Sequence, residues 1–222
     1  MNCFIVYWHP EPQSFNGALL GTAYETLTEA GHLVRVSDLH AMGFNPISGR
    51  HNFTTVKNPD FFKQQLEEIN ASEQGGFAPE IETELKNLEW CDVLILQFPL
   101  WWFGMPATMK GWVDRVFAMG RTYGSGHFYS NGVFQGKRAL LSITAGGPRD
   151  AYEPGGFNGD INAILRPINR GILHFVGFDV LAPQVYYGPA RLTQEERVRL
   201  LTEHAQRLRG LHLEDPIDVG TY

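Results

Sequence analysis

The chain has little of several features that would point to particular classes of protein. Of its 222 residues only two are cysteines, so we expect neither a disulfide framework nor a cysteine-rich metal site. No apolar run approaches the roughly 18 residues that a membrane-spanning helix needs, and the N-terminus lacks the basic start and apolar core of a signal peptide. The formal net charge of −6 argues against nonspecific nucleic-acid binding, which depends on a basic surface. These absences indicate a cytoplasmic globular protein without a transmembrane segment.

Motifs for several kinds of chemistry are also missing. The eight histidines are scattered along the chain, and there is no Gly-x-Ser-x-Gly turn and no phosphate-binding P-loop. Cys3 and Cys91 lie in or beside apolar, strand-like segments, which favours two buried and reduced thiols. We therefore predict no metal site and no redox disulfide.

Apolar strand-like segments alternate with helical segments about five times. The predicted strands are 3–7, 32–37, 93–98, 138–144 and 180–186, and the predicted helices are 17–30, 61–71, 79–87, 109–119, 161–175 and 193–209. Such alternation is typical of a doubly wound parallel sheet. We predict an α/β flavodoxin-like fold with strand order 2-1-3-4-5 over residues 1–210, followed by a tail, 211–222. A dinucleotide-binding Rossmann domain is the second choice, because its Gly-x-Gly-x-x-Gly turn is missing after the first strand.

The loops after the first and fourth strands carry polar residues and glycines where ligands bind in such sheets. Ser14 and Asn16 precede a helix, so they could form an anion cradle with its free N–H groups, although helix capping is the simpler explanation. His9 could add positive charge there. After the fourth strand, Gly146 and Gly147 would let backbone N–H groups approach a ligand closely.

The loop after the third strand is rich in aromatic residues. Residues 97–107 read QFPLWWFGMPA, with three consecutive aromatics where turns usually carry small polar residues. The loop is either the wall of a flat aromatic ligand or apolar filler beneath a neighbouring element or subunit. Taken with the anion cradle and the glycine edge, the wall favours a flavin bound with its phosphate end at the first loop.

Several longer stretches carry a family resemblance. They are 9–19 (HPEPQSFNGAL), 37–46 (SDLHAMGFNP), 98–100 (FPL), 102–104 (WFG), 110–112 (KGW) and 171–175 (GILHF). The sequence resembles the NAD(P)H:quinone oxidoreductases of the DT-diaphorase type from about residue 3 to about residue 210. The resemblance implies a flavodoxin-like homodimer with FAD at the subunit interface, FMN being the less favoured flavin.

The resemblance also implies roles for individual residues. Tyr152 matches the catalytic tyrosine, Asn158 stands where the family has a catalytic histidine, and Tyr123 matches a tyrosine that reaches into the site of the partner subunit. The residues implied to bind the flavin are His9, Ser14, Phe15, Asn16, Pro99, Leu100, Trp102, Phe103, Thr144, Ala145, Gly146, Gly147, Arg197 and Leu201.

Some positions depart from the family pattern. Asn158 cannot be protonated near neutral pH as a histidine can, so we expect flavin reduction without a histidine-linked pH dependence. The zinc ligands of a shorter relative would fall on Arg170, His174 and Val219, which again predicts no zinc. Trp101 stands where the longer relative has a glutamine, and the flavin argument does not explain it.

The resemblance implies one reaction and leaves two rivals. Hydride would pass from NAD(P)H to FAD and then to a quinone in the same pocket, which gives ping-pong kinetics. The rivals are a regulatory flavoprotein subunit of a potassium-efflux system and a flavodoxin-like electron carrier. The aromatic loop and the moderate net charge disfavour the carrier. The sequence does not choose between NADH and NADPH.

Overall fold

Six parallel strands form one sheet in the computed structural model, which describes residues 1–220. The strands are β1 (Asn2–Tyr7), β2 (Leu33–Asp38), β3 (Val93–Pro99), β4 (Arg138–Ala145), β5 (Asp179–Val180) and β6 (Gln184–Tyr187). Their order is β2-β1-β3-β4-β5, and β6 also pairs with β4. The predicted order is therefore confirmed, with the fifth position shared by two short strands.

The predicted fifth strand, 180–186, is divided because its ladder with β4 is interrupted. Residues 138–139 of β4 pair with β5 and residues 142–145 pair with β6, so the three residues 181–183 lie opposite only 140–141. Pro183 lies in this gap and has no N–H to donate to a ladder. The segment between β5 and β6 therefore has one residue more than the facing part of β4. With this offset Tyr187 pairs with Ala145 at the end of the sheet.

Residues 1–220 contain six α-helices, five between strands and one after the last strand. They are α1 (Phe15–Glu29), α2 (Gln64–Gln74), α3 (Pro79–Trp90), α4 (Ala107–Val116), α5 (Ile161–Ile168) and α6 (Gln194–Arg209). The helix predicted from residue 61 starts three residues later, because the Asn58 side chain accepts the N–H groups of Asp60 and Phe61 in a turn. The helix predicted over 161–175 continues beyond Ile168 as a π-helical segment, Asn169–His174, just after Pro167 removes a backbone donor.

The helices cover both faces of the sheet, so there are two apolar cores. On one face Ile5, Ile95 and Leu140 pack with Leu27 of α1 and Leu208 of α6. The other face packs against α3, α4 and α5, through residues that include Phe4, Leu94, Leu141, Leu85, Trp112 and Leu165. The central strands β1, β3 and β4 bury both sets of their side chains, as their mostly apolar sequences require.

Both cysteines are buried and free, as predicted. Burial raises the pKa of the Cys3 thiol to about 11 and that of the Cys91 thiol to about 12. Thiols in such surroundings are inert, because the reactive thiolate is disfavoured. The two cysteines are therefore packing residues.

The described part of the tail, residues 211–220, lies against the sheet. Leu211 is buried, and the Ile217 N–H donates to the Val180 carbonyl at 2.8 Å. The Arg138 guanidinium donates to the carbonyls of Leu211 and Glu214. Thr221 and Tyr222, the last residues of the predicted tail, lie outside the described residues. Within residues 1–220, no helix has the length and apolar character that crossing a membrane requires.

Candidate active site

The loops that follow β1, β3, β4 and β6 enclose a groove at one edge of the sheet. A first part of about 540 Å³ lies between the start of α1 and α6, and a second of about 310 Å³ lies between the loops after β3, β4 and β6. Thr144, Pro189 and Ala190 line both parts, so the two are adjacent. All the predicted flavin contacts line one part or the other except Trp102, Phe103 and Gly147.

The start of α1 forms one wall of the first part. Ser14 is the N-cap, and its Oγ accepts the Gly17 N–H at 3.1 Å, so the capping explanation of this residue is correct. Ser14, Phe15 and Asn16 line the groove at the point where the first-turn N–H groups have no partners within the helix. This end of a helix carries partial positive charge, so the wall can bind an anion such as a phosphate.

Asn16 is held in place from two sides. Its Nδ2 donates to Thr144 Oγ1 at 2.6 Å, and Gln97 Nε2 donates to its backbone carbonyl at 2.7 Å. Its side-chain oxygen, Oδ1, is buried without a hydrogen-bond partner among residues 1–220. A buried acceptor left unpaired costs about 1–3 kcal/mol, so a ligand N–H or O–H at this position would be stabilising.

A row of polar residues crosses the sheet beneath this wall. Tyr7 of β1 pairs with Gln97 of β3, Gln97 pairs with Ser142 of β4, and Ser142 pairs with Gln184 of β6. The sequence prediction missed this row. Its signal was the presence of Gln97 and Ser142 inside otherwise apolar strands.

The two glycines after β4 have different surroundings. A side chain added at Gly146 would enter open space, so the backbone there is accessible to a ligand. A side chain added at Gly147 would come within 3.0 Å of the Tyr152 ring and 3.3 Å of Asn158 Nδ2. The structure thus brings the predicted catalytic pair, Tyr152 and Asn158, together against Gly147.

The aromatic loop after β3 forms a tight turn. Trp101 and Gly104 exchange two backbone hydrogen bonds, of 3.1 and 3.0 Å, and the residues between them, Trp102 and Phe103, have φ angles of 49° and 59°. Positive φ at both central positions is the type I′ geometry that strongly prefers Asn-Gly. The Trp102 side chain is 96% exposed and Phe103 is 51% exposed, so the turn holds two aromatic rings at the surface.

Trp101 has the clearest structural explanation of the three aromatics. Its ring packs edge-on against Trp8, with ring centroids 4.9 Å apart, and it lines the second part of the groove. The residue that the flavin argument left unexplained is therefore part of the groove wall.

Comparison with known proteins decides the family. A family model described as the flavodoxin-like fold matches residues 1–210. The chain belongs to this flavodoxin-like family. A human protein named ribosyldihydronicotinamide dehydrogenase [quinone] is 43% identical over 96% of this chain and 93% of its own length. A guinea-pig (Cavia porcellus) protein named NAD(P)H dehydrogenase [quinone] 1 is 44% identical over 96% of this chain and 78% of its own length.

A solved structure of the flavodoxin-like fold is also similar. It is a Klebsiella pneumoniae protein described as a candidate quinone reductase, which is 41% identical to this chain. The match has a TM-score of 0.94 and covers 98% of this chain and 87% of the other. The loops around the groove thus belong to a backbone arrangement found in an experimental structure.

His9 lines the groove without the charge that the sequence suggested. Its Nδ1 accepts the Glu11 N–H at 3.0 Å, and burial is the main influence that lowers the pKa of its imidazole. A neutral His9 is therefore favoured near pH 7. Its contribution to an anion site would be a hydrogen bond rather than a positive charge.

Tyr123 lies apart from the groove within this chain. Its ring packs near Phe128 and Phe175, with centroid distances of 6.4 and 5.7 Å, and its hydroxyl accepts from Gln65 Nε2 at 3.4 Å. It lines neither part of the groove. A catalytic role would require a second subunit, so the role of Tyr123 stays a prediction.

The positions matched to a zinc site hold a different interaction. The Arg170 guanidinium donates to the Gly220 carbonyl and lies 4.7 Å from the centroid of the Tyr129 ring. Within the described part of the chain, no group of three histidine, cysteine, aspartate or glutamate side chains is placed to hold a metal ion. The hydrogen bond from Arg170 to Gly220 thus holds the tail against the π-helical segment, Asn169–His174.

The residues of the groove fit a flavin. The start of α1 offers an anion site, Asn16 Oδ1 offers an unpaired buried acceptor, and Gly146 offers an unobstructed backbone edge. Pro99, Leu100 and Trp101 supply apolar surface beside that edge. The sequence prediction missed the loop after β6, where Gly188, Pro189, Ala190 and Arg191 also line the groove. The same rule about strand ends would have identified it.

Proposed function

We propose that this protein is an NAD(P)H:quinone oxidoreductase that uses bound FAD and acts as a homodimer. The observation that carries the proposal is a groove of two adjacent parts. One part lies at a helix start suited to an anion, and the other is an apolar, glycine-edged end beside Tyr152. Relatives that share more than two fifths of its residues over nearly its whole length are named as quinone-dependent dehydrogenases, which supports the same class of reaction.

The chain's own residues would bind and orient the cofactor. The first turn of α1 would hold a phosphate, and Thr144 and Gln97 keep Asn16 in position to accept from the ligand. Arg197 and Leu201 also line the first part, and the resemblance matches them to contacts near an adenine, which favours FAD over FMN. When bound, the flavin supplies the hydride-transfer chemistry.

Tyr152 is suited to act as a hydrogen-bond donor at the reacting end. Its side chain is 8% exposed, and its hydroxyl makes no hydrogen bond to another residue within 1–220. A positioned donor of this kind typically stabilises developing negative charge by about 3 kcal/mol. Asn158, beside it, stays neutral at any working pH and supplies only hydrogen bonds.

A single groove of this size supports sequential use by the two substrates. A nicotinamide and a quinone would both stack at the apolar end, so one must leave before the other binds. The exposed rings of Trp102 and Phe103 at this rim support a dimer in which a second subunit closes the site.

The test begins with the purified protein. Its flavin would be released by denaturation and identified by chromatography, and the oligomeric state would be measured by light scattering. NADH and NADPH would then be titrated with a benzoquinone as the acceptor. Flavin-loaded protein that oxidises neither donor with any quinone would refute the proposed activity.

A pair of variants tests the position of the flavin without relying on turnover. A side chain at Gly146 would enter open space, so Gly146→Val should leave the fold intact and block the flavin's edge. Gly21 on α1 also has open space around it and lies outside the groove, so Gly21→Val is the matched control. We expect flavin occupancy to fall at least tenfold in the first variant only.

A further inference from the structure

The groove differs in charge from the rest of the chain. The protein carries 24 aspartate and glutamate residues against 18 lysine and arginine residues. Yet the residues lining the groove include two arginines, Arg191 and Arg197, and no aspartate or glutamate. Arg197 lies near the expected adenosine end of a flavin. Arg191 lies at the opposite end, where the flavin ring carries no phosphate.

A second arginine lies at that same end of the sheet. β4 and β6 are neighbours in which Ala145 pairs with Tyr187. Arg149 lies four residues after Ala145, and Arg191 lies four residues after Tyr187. The Arg149 guanidinium lies 4.9 Å from the centroid of the Tyr187 ring. That ring lies 5.6 Å from the Tyr152 ring, so Arg149 is close to the reacting end.

Arg191 lies beside the glycine loop. A side chain added at Gly188 would lie 4.0 Å from Arg191 Nη1 and 3.6 Å from the Gly147 carbonyl. Arg191 also lines the second part of the groove with Trp101 and Gly146. The two guanidinium groups thus stand on adjacent loops at the apolar end of the groove.

Neither guanidinium is neutralised by an acidic group within residues 1–220. Arg149 and Arg191 are both exposed, and neither forms an ion pair with any residue within 1–220. Guanidinium groups bind phosphate with two parallel hydrogen bonds, which makes arginine well suited to phosphate recognition. The flavin's own phosphates are expected at the start of α1, so these two arginines are available for a different phosphate.

We propose that Arg149 and Arg191 bind the phosphate groups of the hydride donor. They would make the protein prefer a phosphate-bearing dihydronicotinamide, such as NADH or NADPH, over the phosphate-free dihydronicotinamide riboside. This inference rests on the proposed function and specifies the class of its hydride donor. The protein's relatives are named for both kinds of donor. In this protein the two arginines would select the phosphate-bearing kind.

The test compares two donors in matched variants. The ratio of kcat/KM for NADH to that for dihydronicotinamide riboside would be measured with one neutral benzoquinone in wild type, Arg149→Gln and Arg191→Gln. Arg199→Gln is the control, because Arg199 is exposed on α6 and its one ion pair within residues 1–220 is with Glu203, one helical turn away. We expect the ratio to fall about tenfold in each test variant, the effect of losing one charged hydrogen bond, and to stay unchanged in the control.

A binding measurement separates this inference from the proposed function. Calorimetric titration of the flavin-loaded protein with NAD⁺ should show about tenfold weaker binding in each test variant, and raising the salt concentration should weaken wild-type binding. Equal losses with both donors, an unchanged ratio, or unchanged NAD⁺ binding would overturn the inference. Wild-type protein that binds NAD⁺ through these arginines but turns over neither donor would instead refute the quinone reductase proposal alone.

Discussion

The strained turn after β3 predicts a stabilising substitution. Trp102 has a φ of 49° and a side chain that is 96% exposed. A non-glycine residue in left-handed conformation costs about 1–2 kcal/mol, and asparagine adopts this conformation far more readily than tryptophan. Since almost none of the Trp102 ring is buried within one chain, Trp102→Asn should relieve strain without losing packing inside the subunit.

The expected magnitude follows from these two facts. Relieving most of the strain should raise the free energy of unfolding of the flavin-free protein by about 1 kcal/mol. For a chain of this length, that corresponds to a rise in Tm of about 2–4 °C. Flavin affinity should fall, because the exposed Trp102 ring stands at the rim of the proposed site, where a second subunit would close it.

The assay is urea unfolding of flavin-free protein at one fixed protein concentration, compared with flavin affinity measured by fluorescence. Phe157→Asn is the matched control, because Phe157 is 98% exposed and does not have a positive φ. That variant should change stability by less than about 0.5 kcal/mol. If Trp102→Asn unfolds at the same or a lower urea concentration than wild type, the strain argument is wrong.

Three further substitutions have defined outcomes. His204 is fully buried, and burial lowers its pKa from 6.5 to about 4, so the unfolded chain binds the proton more readily. About 3 kcal/mol of stability present above pH 6.5 should therefore be lost as the pH falls to 4, and His204→Gln should flatten the dependence of urea midpoints on pH in that window. Arg115→Leu should lower stability by about 3 kcal/mol in urea unfolding, because the buried guanidinium donates at 2.7 Å to both Asn52 Oδ1 and the Asn45 carbonyl. Tyr152→Phe should lower kcat about 100-fold in steady-state assays while flavin occupancy stays unchanged.

The order of strands and helices was predictable because its signals are local. Apolar runs of strand length, separated by helical segments, leave few ways to build a doubly wound sheet. The start of the last helix was readable too: Thr193 caps α6 through a reciprocal capping box with Glu196, and a threonine three residues before a glutamate is a local signal of a helix start. The groove could be located for the same reason, since strand ends are known once the strands are.

Other features depend on how distant segments meet, and the sequence does not show this. The polar row beneath Asn16 exists only once the register aligns Gln97 with Ser142. The split of the last strand depends on how β4 is shared between two short partners. Whether Tyr123 enters an active site depends on a second subunit, which neither its sequence position nor its packing in one chain determines.

Ser14 shows why a structural and a functional explanation of one residue need not compete. Its hydroxyl caps α1 by accepting the Gly17 N–H, which is a purely local stabilisation. The same bond fixes where the helix begins, and therefore where the unpaired N–H groups of its first turn lie. Gln97 and Thr144 then hold the next turn residue, Asn16, from the sheet. The proposed anion site would thus be a consequence of capping at a place where the sheet ends. Replacing Ser14 should therefore weaken both the start of α1 and the binding of the ligand.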